Sequence, residues 1–128
     1  MARSDHFRTP PEIYNPLNKE FHFTLDPCPI HGSDGLARSW DGETVFVNPP
    51  FSKIEPWVKK AWYHSKEGEA TIVMLLPSRT DQKWFIDYVW PYADIRWIRG
   101  HVHFYNADGS RCKWNFREAC FIAIFKRF

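Results

Sequence analysis

The chain has 128 residues, 44% of them hydrophobic and 18% aromatic, which is enough apolar material for one packed domain and excludes a disordered polypeptide. Its formal net charge of +2 permits nucleic-acid binding without requiring it. Three cysteines, an odd number, favour a reducing cytoplasm over a disulfide framework, and no apolar run approaches the ~20 residues of a membrane span. We therefore expect one soluble cytoplasmic domain over residues 1–128, with residues 1–8 flexible.

The first part of the chain predicts one helix and two strands. Thr9-Pro10-Pro11-Glu12 is a helix-start signal, with Thr9 as the cap and proline at the first helical position, and the helix should end near residues 15–20. Residues 21–25 alternate between apolar and polar side chains, which indicates a strand that ends at Asp26. Residues 30–43 are rich in glycine and predict a loop, with one brief helical turn. The β-branched and aromatic run at 44–47 predicts a buried strand.

The remaining elements alternate between helices and strands. A helix is expected from Pro56 to Gly68, a central strand at 71–76 and a helix at 82–92. Strands are expected at 95–98 and 102–104, then a turn at 106–115 and a last strand at 119–125. This order predicts an α/β three-layer sandwich with a mostly parallel sheet. In such sheets ligands bind beyond the carboxyl ends of the strands, where Asp26 and Asn48 stand.

The most informative motif is Asn48-Pro49-Pro50-Phe51, directly after the predicted strand at 44–47. An exocyclic aromatic amine is a poor nucleophile because its lone pair is delocalised into the ring. The Asn48 side-chain oxygen and the Pro49 carbonyl can each accept one N–H of such an amine, which turns its lone pair towards an electrophile. The prolines fix these acceptors before a substrate arrives, and Phe51 would stack on the substrate ring.

The motif therefore predicts an enzyme that acts on a nucleobase or an amide. The alternative is a double-proline turn that only closes a strand, with Asn48 satisfying backbone groups and Phe51 in the core. We favour the functional interpretation, because asparagine before such a turn and an aromatic residue after it are an uncommon combination directly beyond a buried strand.

A basic stretch precedes the last predicted strand. Arg111, Lys113 and Arg117 alternate with Trp114 and Phe116, a pattern that suits phosphate contact and base stacking. A solvated loop with its aromatic rings turned inward explains the same pattern equally well.

Metal binding is a separate hypothesis for the histidines and cysteines. Cys28 and His31 have the spacing of zinc ligands, and His101 and His103 would share one face of a strand. No second close pair completes a tetrahedral set, so we expect no metal site.

The chain resembles the small phage and prophage DNA N6-adenine methyltransferases of the Dam type, from Thr9 to Phe125. The asparagine-proline-proline-aromatic motif occurs in several amino-directed methyltransferases, but the run Pro77-Ser78-Arg79-Thr80-Asp81 adds considerable specificity. The other motifs that carry the resemblance are Thr9-Pro10, Leu25-Asp26, Asp34-Gly35-Leu36 with Trp40, Trp57-Val58-Lys59-Lys60-Ala61, Trp84, and Gly100 with Phe104.

The resemblance implies a minimal class I methyltransferase-like (Rossmann-like) fold, S-adenosyl-L-methionine as methyl donor and adenine N6 in DNA as acceptor. It implies that Asp26 pairs with the ammonium group of the cofactor. It assigns catalysis to Asn48, Pro49, Pro50 and Phe51. The remaining cofactor candidates are Thr9, Pro10, Cys28 and Asp34. Arg79 and Asp81 would orient the Asn-Pro-Pro loop or contact DNA, and the further substrate or DNA candidates are Arg99, His101, Arg111 and Lys113.

Two alternatives stay open. The same class of enzyme could act on another amine or amide, namely RNA guanine, cytosine N4 or a protein glutamine. The chain could instead be a nucleic-acid-binding module without catalysis, because the segment from Asp26 to Asp34 is short and lacks the usual glycine-rich loop. The expected partners are DNA and the cofactor. Because no separate target-recognition domain is present, sequence choice would come from the basic loop, from the region after Asn48 or from a second subunit in a homo-oligomer.

Overall fold

The structure is a computed structural model, and it describes residues 8–28, 35–106 and 117–126. In chain order the elements are helix α1 (Pro11–Phe21), strand β1 (Thr44–Val47), helix α2 (Ile54–Glu67), strand β2 (Thr71–Pro77), a π-helical segment (Phe85–Val89), strand β3 (Asp94–His103) and strand β4 (Arg117–Phe125). The predicted turn at 106–115 lies almost wholly outside the described residues.

Helix α1 begins one residue later than predicted. Pro10, not Thr9, is the cap residue, with extended backbone angles (φ −60°, ψ 140°), and no side chain caps the helix. The helix continues through Phe21 and ends at His22, which adopts a left-handed φ of 58° and donates its N–H to the Asn18 carbonyl at 2.8 Å. The strand predicted at 21–25 was therefore wrong, because Phe21 belongs to the helix and only Leu25 pairs, in a single parallel bridge with Val45.

The two later helices differ in how well the sequence predicted them. Helix α2 begins two residues before Pro56, and the predicted end at Gly68 is confirmed by the Gly68 N–H, which donates to the His64 carbonyl at 2.9 Å. The α-helix predicted at 82–92 is instead a short π-helical segment, where the Trp90 N–H reaches the Phe85 carbonyl five residues back at 2.8 Å. Burial of Phe85 and Val89 holds this segment on the core.

The sheet is mixed, with the strand order β1-β2-β4-β3. Only β1 and β2 pair in parallel, while β4 is antiparallel to both β2 and β3. The expected mostly parallel sheet was therefore wrong at the level of pairing, because the last strand runs back between two strands of the opposite direction. It follows that β1, β2 and β3 share one direction, so their carboxyl ends and the amino end of β4 meet at one edge, here called the site edge.

Strand β3 replaces the two separate strands predicted at 95–98 and 102–104. Its pairing with β4 shifts between Trp97 and His101, and Gly100 there has a φ of +77°, which glycine adopts without strain. The core is built around β2, whose residues 72–76 are fully buried, as the unbroken apolar run predicted. None of the helices in the described ranges combines the length and apolar character that a bilayer crossing requires.

Candidate active site

Residues from four distant parts of the chain meet at the site edge. Asn48 follows β1, Arg79 lies two residues after the end of β2, Phe104 follows β3, and Glu118 is the second residue of β4. The backbone joins two of these segments, because the Ser78 N–H donates to the Ala119 carbonyl at 2.9 Å.

The Asn48–Phe51 turn is held by its own backbone. The Lys53 N–H donates to the Pro50 carbonyl at 3.0 Å and closes a turn that leads into α2. Pro49 is buried and Asn48 and Pro50 are half-buried, so the turn is anchored in the fold. Because each proline fixes its own φ angle, the Asn48 side chain and the Pro49 carbonyl are attached to a rigid backbone.

The ring of Phe51 lies inside the fold and is only 6% exposed. It packs edge-to-face on Phe104, with 5.7 Å between ring centroids and 89° between ring planes. The guanidinium carbon of Arg79 lies 5.6 Å from the Phe51 ring centroid, within the range of a cation–π contact. In this conformation little of the ring surface is open to a ligand, which agrees with the alternative interpretation in which Phe51 is a core residue.

Arg79 joins the Phe51 turn to the last strand. Its Nη1 donates to the Phe51 carbonyl at 3.2 Å, while Nη2 and Nε donate to Glu118 Oε1 at 2.8 and 3.2 Å. One of the two roles suggested for Arg79, contact with the Asn-Pro-Pro loop, therefore has a direct geometric basis. Asp81 is exposed in the turn after Arg79.

A groove of about 580 Å³ runs beside Phe51, between the start of α2 and the segment that follows β2. Its volume is within the range of sites that bind small organic groups. Its polar side chains carry both signs of charge, and the residues that line it are Phe51, Ser52, Lys53, Ile54, Glu55, Pro56, Arg79, Gln82 and Trp84.

Asp26 stands at the same edge of the sheet as Asn48. The Phe46 N–H donates to the Leu25 carbonyl at 3.0 Å, and the parallel bridge between Leu25 and Val45 directs the chain towards the site edge. Although the Asp26 side chain reaches the surface, neighbouring atoms remove enough water from it to raise the pKa of its carboxyl group, and the Cys28 N–H, donated to Oδ1 at 3.2 Å, opposes this only in part.

Tyr14 of α1 is a neighbour of Asp26 that the sequence did not single out. Partial burial raises the pKa of its phenol, and the negative charge of Asp26 raises it further. Its ring packs edge-to-face on Phe46 at 5.1 Å. Glu118 was also missed; a lone acidic residue at the start of an otherwise apolar strand was the available signal.

The Thr9-Pro10 segment is fixed against the chain that follows β3. The Arg8 N–H donates to the Tyr105 carbonyl at 2.8 Å, and the Tyr105 N–H returns a bond to Arg8 at 3.2 Å. Pro10 is buried and Thr9 half-buried, so this segment lies beside Phe104, the partner of Phe51. Of the segment expected to be flexible, Arg8 is paired, and residues 1–7 lie outside the described ranges.

Comparison with known proteins decides the family. Residues 1–128 match the family model described as Dam, DNA N-6-adenine-methyltransferase. The chain belongs to this Dam family. It is also similar to the DNA N-6-adenine-methyltransferase of Haemophilus phage HP1, with 29% identity over 94 residues that cover 63% of this chain and 54% of the relative. The chain thus spans about half the length of the curated relative it matches. No solved structure matches it.

Of the other residues that the Dam resemblance singled out, some lie in the described part of the chain and some lie outside it. Arg99 and His101 are exposed on β3, and Cys28 is half-buried. Asp34, Arg111 and Lys113 lie outside the described residues, as does His31. Within 8–28, 35–106 and 117–126, no three histidine, cysteine or acidic side chains are grouped so as to hold a metal ion.

Proposed function

We propose that this member of the Dam family transfers a methyl group from S-adenosyl-L-methionine to N6 of adenine in DNA. The observation that carries the proposal is the Asn48–Phe51 turn at the carboxyl end of β1, at the same edge of the sheet as Asp26. We assign catalysis to Asn48, Pro49, Pro50 and Phe51. The three strands that share one direction support a class I methyltransferase-like core, in which ligands bind beyond the carboxyl ends of strands.

The residues near Asp26 fit the charged end of the cofactor. Asp26 is a partly dehydrated carboxylate with which no cationic side chain in the described ranges forms an ion pair, so it suits an ammonium group. Thr9 and Tyr14 would contribute hydroxyl groups to the same side, with Pro10 and Cys28 as apolar neighbours. S-adenosyl-L-methionine, when bound, supplies an electrophilic methyl group.

The Asn48 turn would bind the methyl acceptor, the exocyclic amine of adenine. The Asn48 side-chain oxygen and the Pro49 carbonyl each accept one N–H from the exocyclic amine of adenine. These two bonds would favour a pyramidal nitrogen, whose lone pair would take the methyl group as its bond to the sulfonium sulfur breaks; the sulfur would leave as a neutral thioether and one amine proton would pass to solvent. A base in duplex DNA must leave the stack before it reaches this turn, and an aromatic ring such as Phe51 would hold it there.

The substitution Asn48→Ala tests this assignment. We expect a loss of methyl transfer of at least about 100-fold, the typical cost of removing one donor or acceptor that acts in the transition state. The affinity for S-adenosyl-L-methionine should stay unchanged, because Asn48 is assigned to the acceptor amine. Radioactive methyl transfer gives the rate, and calorimetric titration of the cofactor gives the affinity.

The matched control is Asn15→Ala, the same substitution at an exposed position of α1. Near-normal turnover of Asn48→Ala would contradict the catalytic role. Digestion of the labelled DNA to nucleosides distinguishes N6-methyladenine from N4-methylcytosine, and parallel reactions with RNA and with protein test the other acceptors. Label in N4-methylcytosine, in RNA or in protein glutamine, with none in adenine, would replace adenine by one of these alternatives. Failure to bind the cofactor at millimolar concentration would favour a nucleic-acid-binding module.

A further inference from the structure

Arg79 covers the ring that the proposed reaction needs to expose. A base stacked on Phe51 must bring its atoms to about 3.5–4 Å from the ring. The guanidinium of Arg79 already lies over that ring, 5.6 Å from its centroid, and the edge-to-face contact with Phe104 takes up further ring surface. With Phe51 only 6% exposed, a base can stack on it from the groove only after Arg79 has moved.

Glu118 holds Arg79 in this covering position. Two guanidinium nitrogens donate to Glu118 Oε1, and the two side chains remain 41% and 27% exposed. An ion pair with this much contact with solvent is weak and exchanges its partners at low cost. Arg79 therefore takes the covering position in the free protein, but this position is open to competition from another anion.

The groove beside Phe51 provides the place for such an anion. Arg79 lines it together with Lys53 and Gln82, while Glu55 is the opposing charge on its wall. A phosphodiester accepts two parallel hydrogen bonds from a guanidinium, as a carboxylate does, so it competes with Glu118 for the same group. The volume of about 580 Å³ is sufficient for one nucleotide unit.

We propose that this groove is a subsite for the DNA phosphate next to the target adenine, and that a phosphate bound there draws Arg79 away from Glu118 and uncovers Phe51. The proposal rests on the proposed function for its ligand, DNA. Phosphate binding in the groove and base stacking on Phe51 are then coupled, and each strengthens the other by the same factor.

The test uses a short single-stranded oligonucleotide that carries one 2-aminopurine as a fluorescent adenine analogue. One version has ordinary phosphates, and the other has neutral methylphosphonates on both sides of the analogue. Fluorescence anisotropy gives the affinity, and quenching reports stacking. For the wild-type chain we expect the neutral version to bind about tenfold more weakly, which is the loss of one hydrogen bond to a charged group.

Three substitutions separate the parts of the proposal. Glu118→Gln should bind the ordinary oligonucleotide about two- to fivefold more tightly and quench it more, because Arg79 is released from its ion pair. Arg79→Gln should reduce the difference between the two oligonucleotides to less than about twofold, since the group that senses the phosphate charge is gone. Arg79→Lys keeps the positive charge but loses the paired N–H donors of the guanidinium, so the difference between its affinities for the two oligonucleotides should be intermediate.

The matched control is Glu43→Gln, which breaks the Arg38–Glu43 pair (3.3 Å) just before β1, at the opposite edge of the sheet. Thermal unfolding of each variant verifies that it folds. Equal binding of both oligonucleotides by the wild-type chain, or a full difference retained by Arg79→Gln, overturns the subsite. Weaker binding and less quenching by Glu118→Gln overturns the covering role, because Glu118 would then hold Arg79 in its DNA-binding position.

The binding experiments are carried out without a methyl donor, so their results do not depend on the reaction. If phosphate binding and base stacking are coupled but no methyl group is transferred to DNA, the proposed reaction is rejected and the subsite is retained. Methyl transfer without coupling would reject the subsite alone.

Discussion

The substitution Gly35→Ala tests whether Pro27, the residue after Asp26, is held in a fixed position by Gly35. A Cβ atom on Gly35 would lie 2.7 Å from the Pro27 carbonyl carbon and 2.8 Å from Pro27 Cβ, and closer still to the carbonyl oxygen. Ordinary contacts begin near 3.4 Å, so the Pro27 carbonyl group must move by at least about 0.7 Å, the difference between 3.4 and 2.7 Å. The Trp40 indole, which donates to the Gly35 carbonyl at 3.0 Å, restrains the other side.

The expected cost follows from these contacts. Overpacking a well-packed site costs about 1–3 kcal/mol, and alanine regains about 0.4–1 kcal/mol by stiffening the unfolded chain. We expect a net loss of on the order of 1–2 kcal/mol in the free energy of unfolding, measured by urea denaturation. Because Pro27 directly follows Asp26, the affinity for S-adenosyl-L-methionine should also fall, by about tenfold if Asp26 loses one charge-assisted hydrogen bond.

The control for this experiment is Gly42→Ala. A Cβ on Gly42 meets nothing within 4 Å, but its φ of +72° strains alanine, so this variant measures backbone strain without a clash. It should lose stability and retain cofactor affinity. If Gly35→Ala unfolds at the wild-type urea concentration and binds the cofactor normally, the close approach of Gly35 to Pro27 does not position Asp26.

Two further predictions concern the dependence on pH. Burial, together with the Glu118 carboxylate, raises the pKa of Cys120 to about 12, so this thiol should resist alkylation at pH 8 in the folded protein. The protonated thiol stabilises the fold fully below the unfolded pKa of about 9, and this stabilisation is lost as the pH rises towards about 12. Urea unfolding of Cys120→Ala should therefore lack this loss of stability at high pH, which is on the order of 4 kcal/mol. The same loss in wild type and variant would refute the argument. The raised pKa of Asp26 means that the ammonium group of S-adenosyl-L-methionine should bind more tightly as the pH rises through that pKa, whereas the Asp26→Asn variant should show no such rise in acidic buffer.

The sequence predicted the buried strands and α2 because their patterns are strong and local. Residues 44–47 and 71–76 are apolar runs bounded by turn residues, and the Gly68 stop is visible in the sequence. The prediction for residues 21–25 failed because the same alternation of side chains arises when a helix ends at Phe21 and the residues after it are extended. The left-handed conformation of His22, which separates the two, has no signal in that pattern.

The sequence singled out several residues of the candidate site, but only some of the contacts between them. The Asn48 turn, Asp26 and Arg79 were all recognised, and the structure brings them to one edge of the sheet. The Arg79–Glu118 pair was not predicted, because it joins residues 39 positions apart and depends on the antiparallel insertion of β4. Strand order is set by which apolar faces pack together, and alternation along one strand carries no information about its neighbours.

The insertion of β4 also has a consequence for the order in which the sheet can form during synthesis. Strand β3 joins the sheet only through β4, so it has no pairing partner among the described strands until the nine residues of β4 have left the ribosome. Without β4, the only pairing among the described strands is that of β1 with β2, and such a two-stranded sheet is too small to be stable alone. Pairing of β4 with β2 and β3 is therefore the step that completes the sheet on which the Asn48 turn and Arg79 are placed.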